Sequence, residues 1–257
     1  MDSAKRVPGK RGRLPALARS DRLALKFVHE YAPLAAPTYP IDVSGGITDW
    51  GMLGNGPDSS CSSHPDGVGD CTFAGRQHLK MAKAARGRET ETWETSDELV
   101  AEYLDYNHGI DQGANIANLL YSWYCAGKIG GFAPVDHTNR AAIDAALPAF
   151  TGVYAGVSLT DDADDLFGAH QPWTVAGGQR PDPNDGHCIV LVGADGNFDT
   201  WVTWGALQKS TTAWTAACLE EAWVIITSED EASPLIDLQA LRRDIDALGG
   251  LVKFDAA

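Results

Sequence analysis

Hydrophobic positions fall into two regimes along the chain. Between residues 71 and 148 they recur at helical spacing, and from 152 to 227 they run in short β-rich blocks. The first regime predicts four helices. One starts at Cys71-Thr72 and runs to about Arg86, with Gly75 its one glycine. A second, about 96–106, begins at a Ser96 cap and buries Leu99, Val100, Tyr103 and Leu104. A third, about 114–126, carries Ile116, Leu119, Leu120, Trp123 and Tyr124 at helical spacing and stops at Gly127. A fourth, about 138–147, is short and capped by Thr138. The second regime predicts strands at Gly152–Leu159, His187–Gly193, Asp199–Trp204 and Ala222–Thr227, with a helix at about 211–221 between the last two. A C-terminal helix over 233–248 opens at Ser233-Pro234, places Leu238, Leu241, Ile245 and Leu248 on one face, and ends at Gly249-Gly250. Helices come first and strands second, without an internal repeat. The expected class is therefore α+β with two lobes.

Outside these elements the chain is punctuated. Residues 1–45 read as an arm with a Pro/Ala-rich extended stretch from Tyr31 to Pro40, and residues 56–70 are turn-forming throughout. The expected organisation is an arm over 1–45, a body over 46–228 and a C-terminal helix and tail over 229–257. The 257 residues are 44% hydrophobic and 21% charged, a globular composition rather than a disordered one. No apolar run approaches the roughly 18 residues of a membrane span, so no membrane partner is expected. The first residues, MDSAKRVPGKRGRLP, lack the apolar segment of a secretory leader, which points to the cytoplasm or a virion. Cysteines at 61, 71, 125, 188 and 218 are too irregular for a disulfide framework.

Charge divides the chain more sharply than hydropathy does. Residues 1–26 hold eight basic side chains against two acids, about +6, while the whole chain carries −15. The remainder is thus near −21 and repels phosphate, which argues against nucleic acid as a partner except through the arm. The arm over 1–26 and the helix over 233–248 are the two surfaces to consider for a protein assembly partner; the acidic body itself is another acceptor for the arm.

Three short stretches could carry chemistry. In Gly69-Asp70-Cys71-Thr72-Phe73-Ala74-Gly75 a flexible turn delivers Cys71 to the first turn of a helix, where unpaired N–H groups and the helix dipole favour a thiolate nucleophile. A buried packing cysteine is the alternative. In Asp185-Gly186-His187 a histidine sits at the mouth of an apolar strand. In Val202-Thr203-Trp204-Gly205 an aromatic residue precedes glycine at the end of the next strand, where simple packing is the plain reading. Cys61, His64 and Cys71 do not have the spacing of a zinc site, and Asp161, Asp162, Asp164 and Asp165 do not match a calcium loop, so no cofactor or metal is expected. That acidic stretch, with Trp173, would flank a cleft and favour a basic or polar substrate.

The order of these signals, a cysteine at a helix start, a Gly-His strand and then a strand ending in Trp-Gly, resembles the papain-like cysteine peptidases. The looser bacterial and phage form, with Gly-Asp-Cys-Thr in place of the Ser-Cys-Trp of plant papains, looks most similar, over about residues 45–228. The resemblance implies a helical lobe led by the Cys71 helix and an antiparallel β lobe carrying His187. It implies a Cys71–His187 pair, an acyl-enzyme on a peptide or amide substrate, and an oxyanion donor in the Cys71 backbone N–H. Two positions depart from the family. The asparagine that orients the histidine is replaced by Val202; adjacent Thr203 substitutes if the strand register shifts, with Asp199 and Asp185 as further candidates. No glutamine precedes the cysteine, and Asn55 is the only amide between Gly51 and Cys71, separated from it by the turn-rich insert 57–66. Trp173 and Trp204 complete the expected substrate-facing set. Two functions follow: a thiol hydrolase acting through Cys71 and His187 with Thr203 as orienting residue, or a catalytically weak or inactive relative serving as a structural module, for example in a phage particle.

Overall fold

The computed structural model describes residues 6–16, 25–58, 60–87, 94–227, 230 and 236–248. In chain order the elements are β1 (Ile41–Asp42), α1 (Cys71–Ala85), α2 (Ser96–Tyr106), α3 (Ile116–Cys125), β2 (Gly131–Val135), α4 (Arg140–Ala149), β3 (Val153–Thr160) and α5 (Ala163–Gly168). There follow β4 (Pro181–Ala194), β5 (Phe198–Thr203), β6 (Ala206–Thr211), α6 (Thr212–Cys218), β7 (Leu219–Ile226) and α7 (Leu238–Leu248). Seven strands among the described residues form one antiparallel sheet in the order β2-β7-β3-β4-β5-β6, with β1 paired to β4.

The predicted helices and strands all form, with local corrections. Thr95, not Ser96, caps α2, because Glu98 completes a capping box with it. Asn139, not Thr138, caps α4 by accepting from the Ala141 N–H. β2 was not expected because Pro134 interrupts its pattern; at the sheet edge a missing N–H is tolerated. β6 is hidden in sequence by its polar Gln208, Lys209 and Ser210, and the short α5 follows directly on Asp161 and Asp162 of the acidic stretch. The proposed cap Ser233-Pro234 lies outside the described residues.

The helical lobe is tied together around α1. Phe73 meets the rings of Tyr103 and Trp123 edge-on, and buried Arg76 binds Glu94 and Glu102 at 2.7 and 2.8 Å beneath Trp123. α1 lies against β3 and β4. Gly75 makes that approach possible: a Cβ there would stand 2.9 Å from the Tyr154 ring and 3.2 Å from Cys188 Sγ. The Tyr154 hydroxyl donates to the Thr72 carbonyl at 2.5 Å, fixing the first turn of α1 on the sheet.

The expected boundary at residue 45 is corrected by packing. Val28, Tyr31, Ile41 and Val43 are buried in the body, and β1 is part of its sheet. Among the described residues before that boundary, 6–16 run as an extended segment laid on the body. The apolar face of α7 is likewise used internally. Leu241 and Ile245 pack on Gly131 of β2, Tyr31 donates to Asp244 at 2.7 Å, and Tyr124 donates to Asp246 at 3.0 Å. No helix of the described residues is long and apolar enough to cross a membrane.

One consequence for stability follows from α1. His78 is buried, with Nε2 3.1 Å from the Gly51 carbonyl, and burial pushes its pKa down to about 4. An unfolded histidine takes up its proton near pH 6.5, before the folded one does, so stability is full above that pH and is lost as pH falls toward 4. The expected limiting slope is about 1.4 kcal/mol per pH unit for this one proton. Urea midpoints across that range, compared with His78→Gln, check it; the variant should flatten the profile.

Candidate active site

Cys71 opens α1, immediately after Gly69 and Asp70. Its thiol faces the backbone N–H groups of Cys188 and Gly12, both of which act to stabilise a thiolate. Burial outweighs them and pushes the thiol up to about 12. The expectation of a ready thiolate at the helix start is therefore corrected for this form of the protein: the dipole is present, but water is not. Asp70 does not cap the helix with its side chain. Both its oxygens are buried, with the Asn55 amide and the Asp70 N–H close by but outside hydrogen-bond geometry, and burial outweighs them and raises its pKa well above the usual carboxylate range, favouring the uncharged acid beside the thiol.

The strand that carries His187 starts at Pro181 rather than at the histidine, so His187 and Cys188 sit in the middle of β4, and the Cys71 thiol faces them there through the Cys188 N–H. His187 is buried. Its Nε2 is 2.8 Å from Thr203 Oγ1, and its Nδ1 has no hydrogen-bond partner among the described residues. The strand register explains why Thr203 and not Val202 reaches it. Val190 pairs with Val202, which puts Val202 on the Cys188 face of the hairpin and Thr203 on the face shared by Ile189 and His187. Beyond Thr203 the chain turns at once through Trp204 and Gly205, with φ of 45° and 72°, in the manner of a two-residue primed hairpin turn joining β5 to β6. That turn lays Trp204 on the His187 ring at 4.8 Å between centroids. Burial, with the positive charges of Arg11 and Arg13 nearby, lowers the His187 pKa well below its ordinary value. Asp199 and Asp185 are not orienting groups. Asp199 binds Arg140 at 2.7 Å, and Asp185 binds Arg11 at 2.6 Å.

Asn55 is brought to the same place by the insert. Residues 57–66 leave and return at one point: a Cβ on Gly67 would stand 2.4 Å from Gly56, and the Val68 N–H donates to Gly54 at 2.9 Å. Asn55 is therefore buried with its amide facing the carboxyl of Asp70, the residue before Cys71, despite the separation in sequence. Trp173 is a correction. It is fully buried behind Trp204, stacked on Trp214 at 4.7 Å, and donates to the Ala163 carbonyl at 2.9 Å; it lines no groove. Among the described residues no group of His, Cys, Asp and Glu side chains is placed to hold a metal ion.

No protein-family model matches the sequence, and no curated protein matches it. The three-dimensional comparison is different. The chain is similar to xylellain, a cysteine protease from Xylella fastidiosa, over 88% of this chain and 99% of that one, at 12% identity and a TM-score of 0.57. It is also similar to a digestive procathepsin L 3 of Tenebrio molitor larval midgut, over 86% and 76% of the two chains, at 13% identity and a TM-score of 0.43. The chain has the papain-like cysteine peptidase fold.

In this papain-like fold the groove over Cys71 is filled by the chain's own residues 9–15. The Lys10 N–H donates to the Asn55 carbonyl at 2.6 Å, and Asn55 Nδ2 donates to the Lys10 carbonyl at 3.1 Å. Gly12 turns its N–H to the thiol and presses on the turn before it, where a Cβ on Gly12 would stand 1.5 Å from the Gly69 carbonyl oxygen. Arg11 lies over Trp204 at 4.8 Å and binds Asp164 and Asp185 at 2.5 and 2.6 Å. The acidic stretch thus does border the groove, with Asp164 as the member that touches its occupant. Arg13 and Leu14 add to Ala114 as a short parallel β pairing, and Asn115 holds the Pro15 carbonyl at 2.8 Å. The segment was legible as basic, but its seat was not: its partners are scattered over more than 150 positions of sequence. A separate cavity of about 380 Å³, lined by Leu25, Phe27, Pro134, Val135 and His137, shares no residue with the filled groove.

Proposed function

We propose that this chain is a papain-like thiol peptidase held closed by its own N-terminal segment. The observation that carries this is the extended main chain over Cys71, with an Asn55 amide on one of its carbonyls: the groove already binds peptide backbone. Once that segment leaves, water reaches Cys71 and His187, and the raised thiol and lowered imidazole both return toward their ordinary ranges. His187 Nδ1 then takes the Cys71 proton, while Thr203 accepts from Nε2–H and steadies the imidazolium. The thiolate attacks the carbonyl carbon. The oxyanion is met by the Cys71 backbone N–H and Asn55 Nδ2, the amine leaves with the proton from His187, and water hydrolyses the thioester.

The test uses the full chain with the segment loosened by Arg13→Ala. Incubated with reduced, carboxymethylated casein, it should fragment the casein, and activity should stop as iodoacetamide modifies Cys71, located by peptide mass mapping. Complete modification of Cys71 that follows no casein cleavage at all would overturn the proposal in favour of a structural module. Thr203→Val in the same background is expected to lower kcat/KM about tenfold, since a hydrogen bond to a charged group is worth about 1.5–3 kcal/mol and water replaces part of it. The alkylation-rate profile should also shift to higher pH, which a merely structural loss would not produce.

A further inference from the structure

The Arg13 side chain occupies a pocket built for its charge. It is fully buried; Nη2 binds Glu220 at 2.5 Å and donates to the Val157 carbonyl at 3.2 Å, while Nη1 binds Glu221 at 3.3 Å. Both carboxylates are held from behind. Ser158 Oγ donates to the other Glu220 oxygen at 2.5 Å, and Trp223 Nε1 donates to the other Glu221 oxygen at 2.9 Å. Two glycines make the room. A Cβ on Gly156 would stand 2.7 Å from Arg13 Cδ, and one on Gly186 would stand 2.3 Å from the Arg13 carbonyl oxygen. The main chain is held without reference to sequence: Arg13 N–H donates to Gly186 at 3.3 Å, Leu14 N–H to Ala114 at 2.9 Å, and Ala114 N–H to Gly12 at 2.7 Å. Any extended peptide can make those bonds. Only a long cation with a forked head satisfies two oriented carboxylates and a carbonyl together.

We infer that this pocket is a specificity subsite that selects arginine in peptide substrates. The segment is seated by the same recognition that selects what is cut. The inference rests on the proposed peptidase activity, and supplies its substrate class: peptides with arginine at one fixed place near the scissile bond. Two carboxylates face the one guanidinium, Glu221 buried and Glu220 34% exposed, so a neutral residue entering the pocket forfeits the charge-assisted bonds to both. Discrimination of that kind exceeds what an apolar pocket achieves.

Two measurements separate this inference from the activity it rests on. The first needs no turnover. In the full chain carrying Arg13→Ala and Cys71→Ala, calorimetry should show binding of acetyl-Lys-Arg-Gly-Arg-Leu-Pro-amide, with affinity falling about 100-fold when citrulline replaces the second arginine, the cost of removing one partner of a buried charge pair. Should Arg13→Ala fail to fold by circular dichroism, Arg13→Met keeps the apolar stem and vacates the charge. The second measurement maps cut sites in a peptide library digested by the Arg13→Ala chain. Arginine should be enriched at one fixed position, and Glu221→Gln should remove the enrichment. Selective binding without any cleavage would retire the peptidase and keep the arginine pocket. Cleavage with no arginine enrichment, or equal binding of arginine and citrulline peptides, would overturn the pocket and keep the peptidase.

Discussion

Replacing Arg13 by alanine in the full chain is expected to raise the rate at which iodoacetamide modifies Cys71 by about 10²–10³-fold at neutral pH, because removing one partner of a buried ion pair costs about 3–5 kcal/mol. The cost falls on the closed form alone. With Arg13 gone, Glu221 stays buried beneath the segment and loses its ion pair with the guanidinium; with the segment released, both glutamates meet water. While the closed form dominates, the alkylation rate follows the open population, so the energetic cost appears directly as a rate. Cys218 is the internal standard: it is buried, and the charges that act on it are Asp162 and Glu220 rather than any residue of the segment, so its rate should stay low. A Cys71 rate unchanged by the substitution would mean that the segment is not what shields the thiol.

Asn55→Ala is expected to act in opposite directions on two readouts. In the resting chain it removes the hydrogen bond to the Lys10 carbonyl, but leaves the backbone bond from the Lys10 N–H. Alkylation of Cys71 should rise modestly, by roughly fivefold for one net hydrogen bond of about 1 kcal/mol. In the Arg13→Ala background, where turnover is measured, kcat should fall about 10²–10³-fold with little change in KM, as loss of an oxyanion donor does elsewhere. A purely structural Asn55 would lower stability and leave kcat per folded molecule intact. A fall in kcat together with a faster resting alkylation would place the same amide in both restraint and chemistry.

How much of this was legible in the sequence varied with the distance over which the information was spread. Cys71 and His187 stood out because a turn before a helix and a glycine before a buried strand are local signals. Thr203 was recognisable only as a neighbour of the family position; pairing Val190 with Val202 decided the matter, and pairing is not written in either strand alone. Asn55 was named but left isolated, since its approach to Cys71 depends on the closure of Gly56 on Gly67. Trp173 was misplaced because a tryptophan before a strand reads the same whether it faces a groove or backs another tryptophan. The union of Arg13 with Glu220 and Glu221 had no local signature at all: the residues lie at opposite ends of the chain, and each reads alone as an ordinary surface charge.

The closure at Gly56 and Gly67 has a consequence for lineage and for engineering. The ten residues between these glycines form an excursion whose two feet touch and whose body rests on Ser96 and Asp97 of α2, so its length can change beyond those contacts without moving Asn55 or α1. Descendants of one ancestor can therefore differ there by any number of residues while keeping the same amide beside the same thiol. A search written with fixed spacing between them loses the site among its own relatives. For the experimenter the same ground is a mooring: a fluorophore or affinity tag grafted there, clear of the contacts with Ser96 and Asp97, would leave the chemistry at Cys71 undisturbed.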